Sequence, residues 1–495
     1  MAGIYQNPEA TRNLIGSGQM EGELRRVLEA ASRAGAQAAE ARIERVLHRA
    51  IAVRSREVES VREEEDAGFG VSVWVAGCEG FASSPALDDA SVRSAVDRAM
   101  DAARASGVSR EHPHAPALPT TSGEWRTPIR EDALARPLGD HVELLRAAAA
   151  ACVDRPKIAL VRAMLGAWRY ERLYGNSAGA RIAQTVHETG AELRPFAREG
   201  AEVECRSYPT SLFHYRAAGQ EFLDELDLEG HAAETCDEAA RLLAAPRCPA
   251  KRTTLLVGPY MMMLQIHESI GHPLELDRVF GDEKGFAGAS FATPDRLGTR
   301  YGSDLMKVVV DPTMPAALGG YRWDDEGTQA ASRTVIDAGV LVDYLSNRES
   351  ADRLGKGSTA SMRCVGWKHK PIVRMSNLSL EAGRQTEAEL VGGIEDGIEI
   401  EHSTSGSIDD NRLNFQFGAE IAWEIRDGRR TGKLFRRPSY AGRTPEFWAS
   451  LDGLGDASTW RLGGTPSCGK GQPLQIAHVS HGSPIARFRD VEVGV

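Results

Sequence analysis

The stretch MMMLQIHESIGHP, residues 261–273, is largely apolar and contains two histidines and a glutamate. Its spacing, His267-Glu268-x-x-x-His272, is one residue longer than the His-Glu-x-x-His pattern in which two histidines of one helix bind zinc. At the helical step of ~100° per residue, histidines five positions apart point ~140° apart. A regular α-helix would therefore direct these two imidazoles to different faces.

The end of this segment predicts a departure from regular helix. A residue that precedes proline is disfavoured in the α region and glycine often terminates helices, so Gly271 and Pro273 favour an end or a distortion around Gly271. Such a distortion would allow His272 to turn back toward His267. The run Met261–Met263 predicts core packing, because methionine commonly fills buried space.

Two imidazoles beside a carboxylate indicate zinc chemistry. Catalytic zinc takes three protein ligands and a water molecule, and it lowers the pKa of that water toward ~7. Glu268 adjoins a candidate ligand without being needed as one. It is therefore the candidate general base, which takes a proton from water and passes it to the leaving amine.

The third ligand is left open by the residue types. Cys468 is the first candidate, because the glycines that follow it permit a close approach to a metal and Lys470 would favour the thiolate. His478 and His481 are rivals, since a His-x-x-His pair on a loop can also bind zinc. All three remain candidates at this point.

The composition is that of a globular protein. The chain has 495 residues, of which 42% are hydrophobic and 26% charged, and a net charge of −11. These values fit two or three domains, and the acidic balance leaves no overall basic field for nucleic acid. Seven scattered cysteines without a Cys-x-x-Cys pair indicate reduced thiols. With no recognisable leader and no run of ~18 apolar residues, we expect a cytoplasmic protein that does not span a membrane.

Apolar periodicity predicts an α+β fold for the first part of the chain. Helical spacing predicts helices over residues 20–33 and 91–106, with an antiparallel meander over 38–81 between them. The meander is predicted to turn near residues 63–67 and 76–80. The acidic residues of the first turn are expected to be solvated.

Two domains are predicted. The first, residues 1–245, contains a proline-rich linker at about 107–137 and ends with a long helix over 222–245. The second, residues 246–495, consists mostly of short strands and glycine-bearing turns. This pattern of short strands and turns predicts a β-rich sandwich or barrel that carries the His-Glu-x-x-x-His helix.

His267-Glu268-x-x-x-His272 followed by Cys468-Gly469-Lys470-Gly471-Gln472 resembles the TldD/PmbA family of zinc metalloproteases. The resemblance implies that His267, His272 and Cys468 bind zinc and that Glu268 is the catalytic base, as in the metal-bearing, TldD-like type. Pro273 departs from the family pattern, which has glycine at this position. More diffuse similarity lies in Glu171-Arg172-Leu173-Tyr174-x-Asn176-Ser177, Asp324-Asp325-Glu326-Gly327-Thr328, Leu341-x-x-Tyr344-Leu345, Arg374-Met375-x-Asn377 and Val479-Ser480-His481-Gly482-x-Pro484.

The resemblance also implies partners. Family members form dimers, so we expect a homodimer or a heterodimer with a metal-free PmbA-like paralogue. Their substrate is a flexible peptide bound as an added strand, a mode in which main-chain hydrogen bonds recognise extended backbone. Arg374, Asn377 and His481 are the candidate substrate-binding residues, although a structural role at a strand edge is equally open for Arg374 and Asn377.

Three functions follow as hypotheses. The first is a zinc-dependent hydrolase that cleaves peptide bonds in unfolded or modified peptides. The second is an amidase that cleaves a C–N bond in a small-metabolite conjugate. The third is a non-catalytic scaffold subunit of a dimer, for which zinc would be dispensable.

Overall fold

A computed structural model of the chain describes residues 18–107, 117–283, 285 and 288–495. The helices are α1 (Gly18–Arg33), α2 (Asp89–Ser106), α3 (Leu138–Val153), α4 (Gln220–Glu225), α5 (Ala232–Ala244), α6 (Pro259–Ile266), α7 (Leu276–Val279), α8 (Arg348–Asp352), α9 (Glu387–Gly392) and α10 (Thr444–Ala449). The strands before α6 are β1 (Ala38–Arg54), β2 (Glu57–Val75), β3 (Cys78–Ser84), β4 (Ser122–Arg126), β5 (Ile158–Asn176), β6 (Arg181–Glu199), β7 (Glu202–Cys205), β8 (Tyr215–Arg216) and β9 (Lys251–Val257). The strands after it are β10 (Val308–Val310), β11 (Arg333–Asp337), β12 (Val340–Leu341), β13 (Met362–Arg363), β14 (Ile372–Val373), β15 (Asn377–Leu380), β16 (Asp396–Ile408), β17 (Asn414–Arg426), β18 (Arg429–Arg436), β19 (Ser439–Arg443), β20 (Leu451–Leu454), β21 (Arg461–Lys470), β22 (Gln475–Ser483) and β23 (Ala486–Val493).

One large, mostly antiparallel sheet runs through both halves of the chain. Its strand order is β12-β11-β10-β15-β22-β21-β8-β6-β5-β1-β2-β3. Helices α1 and α2 cover the β1–β3 end with a core of alanine, valine and leucine side chains. The sheet crosses the predicted domain boundary, because β21 pairs with β8 and β8 pairs with β6. The division at residue 245 stays a prediction.

The turn predicted near residues 63–67 is wrong. These residues lie inside β2, and the chain instead turns at Ser55, whose φ is 55°. The acidic side chains are exposed but serve the strand pairing, as in the ion pair of 2.7 Å between Arg45 Nε and Glu65 Oε1 across β1 and β2. Opposite charges on neighbouring strands stabilise a sheet, and Arg45 lies 20 positions from Glu65 in sequence.

Two other expectations are corrected. The long helix predicted over 222–245 is broken into α4 and α5, because Asp227 adopts a φ of 44° and its carboxylate accepts the Gly230 N–H. The predicted linker contains β4, which pairs in parallel with β6. Residues 108–116 of that linker lie outside the described residues.

The C-terminal half contains a closed β-barrel. The order β16-β9-β23-β19-β17 closes on itself because β16 also pairs with β17, while β18 and β20 extend it. The predicted α+β class with a β-rich C-terminal part is confirmed. No helix among the described residues is long and apolar enough to cross a membrane.

Helix α6 lies between the barrel and the large sheet. It follows β9 directly, and the side chains of Met261–Met263 are fully buried, as predicted. Two aromatic side chains of the C-terminal core donate hydrogen bonds to polar side chains of α6 and of the turn that follows it. Tyr440 Oη donates to Gln265 Oε1 at 2.8 Å, and Trp448 Nε1 donates to Ser269 Oγ at 2.9 Å. These bonds fix the helix that carries the candidate site against a rigid core.

Candidate metal centre

The helix changes its winding at the first histidine. After α6 ends at Ile266, a π-helical turn spans His267–Gly271, and the His272 N–H donates to the His267 carbonyl five positions earlier. A π turn is wider than an α turn, so residues five apart return to the same side. The two imidazole rings are 4.8 Å apart between centroids. A distortion was expected at Gly271, but it already begins at His267.

The π turn makes two close contacts with other parts of the chain, through Ser269 and through Gly271. Pro273 has no N–H to donate to the helix, and the Ser269 carbonyl instead accepts the hydroxyl of Tyr301. Gly271 lies against Met375, whose Sδ would be only 1.9 Å from a Cβ at this position. A side chain at residue 271 is therefore incompatible with the observed packing.

Three candidate ligands converge on one point. The ligand atoms of His267, His272 and Cys468 lie within 4.8 Å of one another, and His272 Nε2 is 3.7 Å from Cys468 Sγ. Zinc bonds of ~2.0–2.1 Å to nitrogen and ~2.3 Å to sulfur place tetrahedral N and S ligands about 3.6 Å apart. The donor set therefore fits a zinc ion, and the spacing of His272 and Cys468 matches that of two of its ligands.

The rival ligands lie elsewhere. Successive residues of a strand point to opposite faces, so His478 and His481 of β22 face opposite sides. His478 Nδ1 is 2.6 Å from Glu188 Oε2, away from the cluster. His481 lies behind His267, with its Nε2 2.8 Å from His267 Nδ1.

Cys468 is held by Arg374 through the main chain. The guanidinium donates to the Cys468 and Gln475 carbonyls, with N–O distances of 2.5 and 3.0 Å. Burial alone would raise the pKa of the Cys468 thiol, but Arg374 and His272 together bring it below its ordinary value. The cation that favours the thiolate is therefore Arg374, whereas Lys470, expected in that role, binds carboxylates.

Those carboxylates support His272. Its Nδ1 is 2.9 Å from Glu275 Oε2, and Lys470 Nζ lies 3.5 Å from the same oxygen and 2.7 Å from Asp277 Oδ1. Burial opposes ionisation of Glu275, but Lys470 and His272 hold its pKa well below the usual range. A carboxylate that accepts the second N–H of a metal-binding histidine orients the ring and increases its basicity. Glu275 was not identified from the sequence, although its place three residues after His272 is a usable signal.

Glu268 lies beside the cluster and keeps contact with solvent. Its side chain is 23% exposed, and its Oε2 accepts a hydrogen bond of 3.1 Å from Arg412 Nη1. Burial alone would raise the pKa of Glu268. The opposite effect of His272, His267 and Arg412 is larger, so the pKa lies below its ordinary value. Arg412 lies in the turn between β16 and β17 and was not identified from the sequence.

The remaining predicted residues have structural contacts. Arg374 and Asn377 are buried, and Asn377 Nδ2 donates to the Asp311 carbonyl at 3.3 Å. The Asn377 Oδ1 accepts the hydroxyls of Ser379 and Ser480, which ties β15 to β22. Their contact with substrate stays a prediction, while the structure gives both a role in holding β21 and β22 in place.

Comparisons with known proteins identify the family. Models of the PmbA/TldA metallopeptidase domain 1, central domain and C-terminal domain match residues 39–103, 131–243 and 250–495. The chain belongs to the PmbA/TldD family. The resemblance noted from the site residues is thereby confirmed for most of the sequence.

Relatives in this family are named as proteases. A metalloprotease of Methanocaldococcus jannaschii is 31% identical over 264 residues, 53% of this chain and 55% of that protein. A metalloprotease of Synechocystis is 29% identical over 452 residues, 90% of this chain and 92% of that protein. A zinc metalloprotease TldD homolog of Saccharolobus solfataricus is 22% identical, covering 66% of this chain and 69% of that protein. The crystal structure of TldE from Thermococcus kodakarensis shares the fold, with a TM-score of 0.73, 17% identity and coverage of 96% of this chain and 99% of that one.

Proposed function

We propose that this protein is a zinc-dependent peptidase that hydrolyses amide bonds in extended, unfolded or modified peptides. The convergence of His267, His272 and Cys468 beside Glu268 carries the proposal. Membership in a metallopeptidase family supports it, as do relatives named metalloprotease and zinc metalloprotease.

The residues around the cluster have complementary tasks. Zinc held by the three ligands would polarise the scissile carbonyl and lower the pKa of water. Glu268, ionised and partly exposed, accepts the proton of the attacking water and returns it to the leaving nitrogen. Arg412, bonded to Glu268, holds the carboxylate in place and adds a positive charge beside the cluster, where it would stabilise negative charge that develops on a substrate.

An edge of β16 with which no described strand pairs supports a peptide substrate. Residues 404–407 of β16 are exposed and pair with β17 on one edge, while no described strand pairs with the other. A Cβ at Gly406 would lie 3.7 Å from Leu264, which precedes Glu268 by one helical turn. Extended peptides add to such edges through main-chain hydrogen bonds. An added strand would therefore pass close to Glu268.

The test uses unstructured peptides of about ten residues and matched peptides N-methylated at alternate amides, which lose the strand hydrogen bonds. The wild type with zinc is expected to cleave the first set and to lose most activity on the second. Glu268→Gln is expected to keep zinc while kcat falls by at least about 10²-fold, because a general base contributes ~10²–10⁴.

Three results would count against the proposal. Equal cleavage of both peptide sets would remove the strand-addition argument. Hydrolysis restricted to small acyl amides would favour the amidase hypothesis. Zinc binding without hydrolysis of either class would favour a scaffold subunit.

A further inference from the structure

His481 was expected to contact substrate, but both of its ring nitrogens lie within hydrogen-bond distance of protein atoms. Its side chain is fully buried on β22. Its Nδ1 is 2.9 Å from the Leu378 carbonyl, and its Nε2 is 2.8 Å from His267 Nδ1. The parallel pairing of β15 with β22 places Leu378 directly opposite His481, so the register of the large sheet fixes this contact.

The hydrogen bonds define where each proton resides. A carbonyl oxygen only accepts, so His481 Nδ1 carries a proton and donates to Leu378. A second proton on His481 would create a buried cation whose two bonded partners, a carbonyl and an imidazole, carry no negative charge, and this is costly. The His481 Nε2 is therefore an acceptor, and His267 Nδ1 must be its donor.

This chain of bonds determines which nitrogen of His267 can bind metal. With Nδ1 protonated, the lone pair of the neutral imidazole lies on Nε2, the atom on the far side of the ring from His481. If the bond ran the other way, His267 would carry its proton on Nε2 and present no lone pair to the cluster.

We propose that His481 is a positioning residue that fixes His267 as the Nδ1-protonated tautomer and so presents Nε2 to the metal. This inference rests on the zinc site proposed above. The two histidine ligands then have unlike supports: His267 bonds to a neutral imidazole anchored on a carbonyl, and His272 bonds to the Glu275 carboxylate. Partners of this kind typically alter metal affinity by ~10–100-fold when they are removed.

The first test measures zinc affinity of the purified full-length protein by competition with a chelator. His481→Phe keeps an aromatic ring in the buried space but removes the acceptor, and affinity is expected to fall by ~10–100-fold. His481→Gln can still accept from His267 through its amide oxygen and is expected to recover most of this loss. His478→Phe, on the opposite face of the same strand, is the matched control and should bind zinc as the wild type does.

A second measurement does not depend on how the variants fold. In metal-free wild-type protein with ¹⁵N-labelled histidine, His267 and His481 should both give signals of Nδ1-protonated imidazoles. An Nε2-protonated His267, or wild-type affinity in a folded His481→Phe variant, would overturn the inference. A wild type that fails to bind zinc at all would instead refute the proposed zinc site.

Discussion

Replacement of Gly271 by alanine tests whether the π turn of the metal centre is closely packed against Met375. The new methyl group would lie 1.9 Å from Met375 Sδ, whereas ordinary contacts begin near 3.4 Å, so the sulfur would have to move by about 1.5 Å. Met375 is fully buried, and protein interiors contain few voids into which a side chain can move. Overpacking of this kind costs ~1–3 kcal/mol. It outweighs the ~0.5–1 kcal/mol that alanine gains over glycine in a helix.

We therefore expect Gly271→Ala to lower the free energy of unfolding by about 1 kcal/mol, the difference between the middle values of these two effects, and by no more than ~2.5 kcal/mol. Urea unfolding of the metal-free protein, followed by circular dichroism, measures it. The matched control is Gly22→Ala in α1, where nothing lies within 4 Å of the new methyl and stability should be unchanged or higher.

A double-variant cycle isolates the contact. Met375→Ala alone should cost ~2–5 kcal/mol because it leaves a cavity. Combined with Gly271→Ala, it should cost less than the sum of the two single changes by at least ~1 kcal/mol, since the new methyl occupies part of that cavity. Additive effects, or a Gly271→Ala variant as stable as Gly22→Ala, would refute the reasoning.

Two further predictions concern buried charged side chains. Burial raises the pKa of Glu40 to about 7. Between about pH 4.5 and 7 the folded protein therefore binds more protons than the unfolded chain. The free energy of unfolding should fall as pH rises through that window, by at most ~3 kcal/mol. Glu40→Gln should reduce the difference between urea unfolding free energies at pH 5 and pH 8, and an unchanged difference would contradict the assignment. Arg374→Met leaves the carbonyls of Cys468 and Gln475 without their donor and should destabilise the metal-free protein by ~1–3 kcal/mol, whereas equal stability in urea would show that the two bonds are dispensable.

The chemistry-bearing residues could be predicted because they are close in sequence or unusual in type. His267, Glu268 and His272 lie in one short segment, and Cys468 precedes a glycine-rich stretch. The π turn could not be read from that segment. The turn packs at Gly271 against Met375, which comes from a distant part of the chain.

The supporting residues required knowledge of long-range pairing. Arg374 reaches Cys468 only because β21 and β22 form a hairpin next to β15, and Arg412 reaches Glu268 only through the turn between β16 and β17. The same limit explains the acidic run of β2, in which Glu63 and Glu65 pair with Arg49 and Arg45 of β1. Local propensity identifies such residues as polar, while the sheet register decides what they contact.

The zinc content of the purified protein tests the central claim most directly. Elemental analysis should find about one zinc per chain in the wild type and in Glu268→Gln, because Glu268 is not a ligand. Cys468→Ala should lose most of the metal, while Cys236→Ala, a buried cysteine in the N-terminal half, should retain it. Full zinc occupancy in Cys468→Ala, or loss of zinc in Glu268→Gln, would contradict the assigned ligands and base.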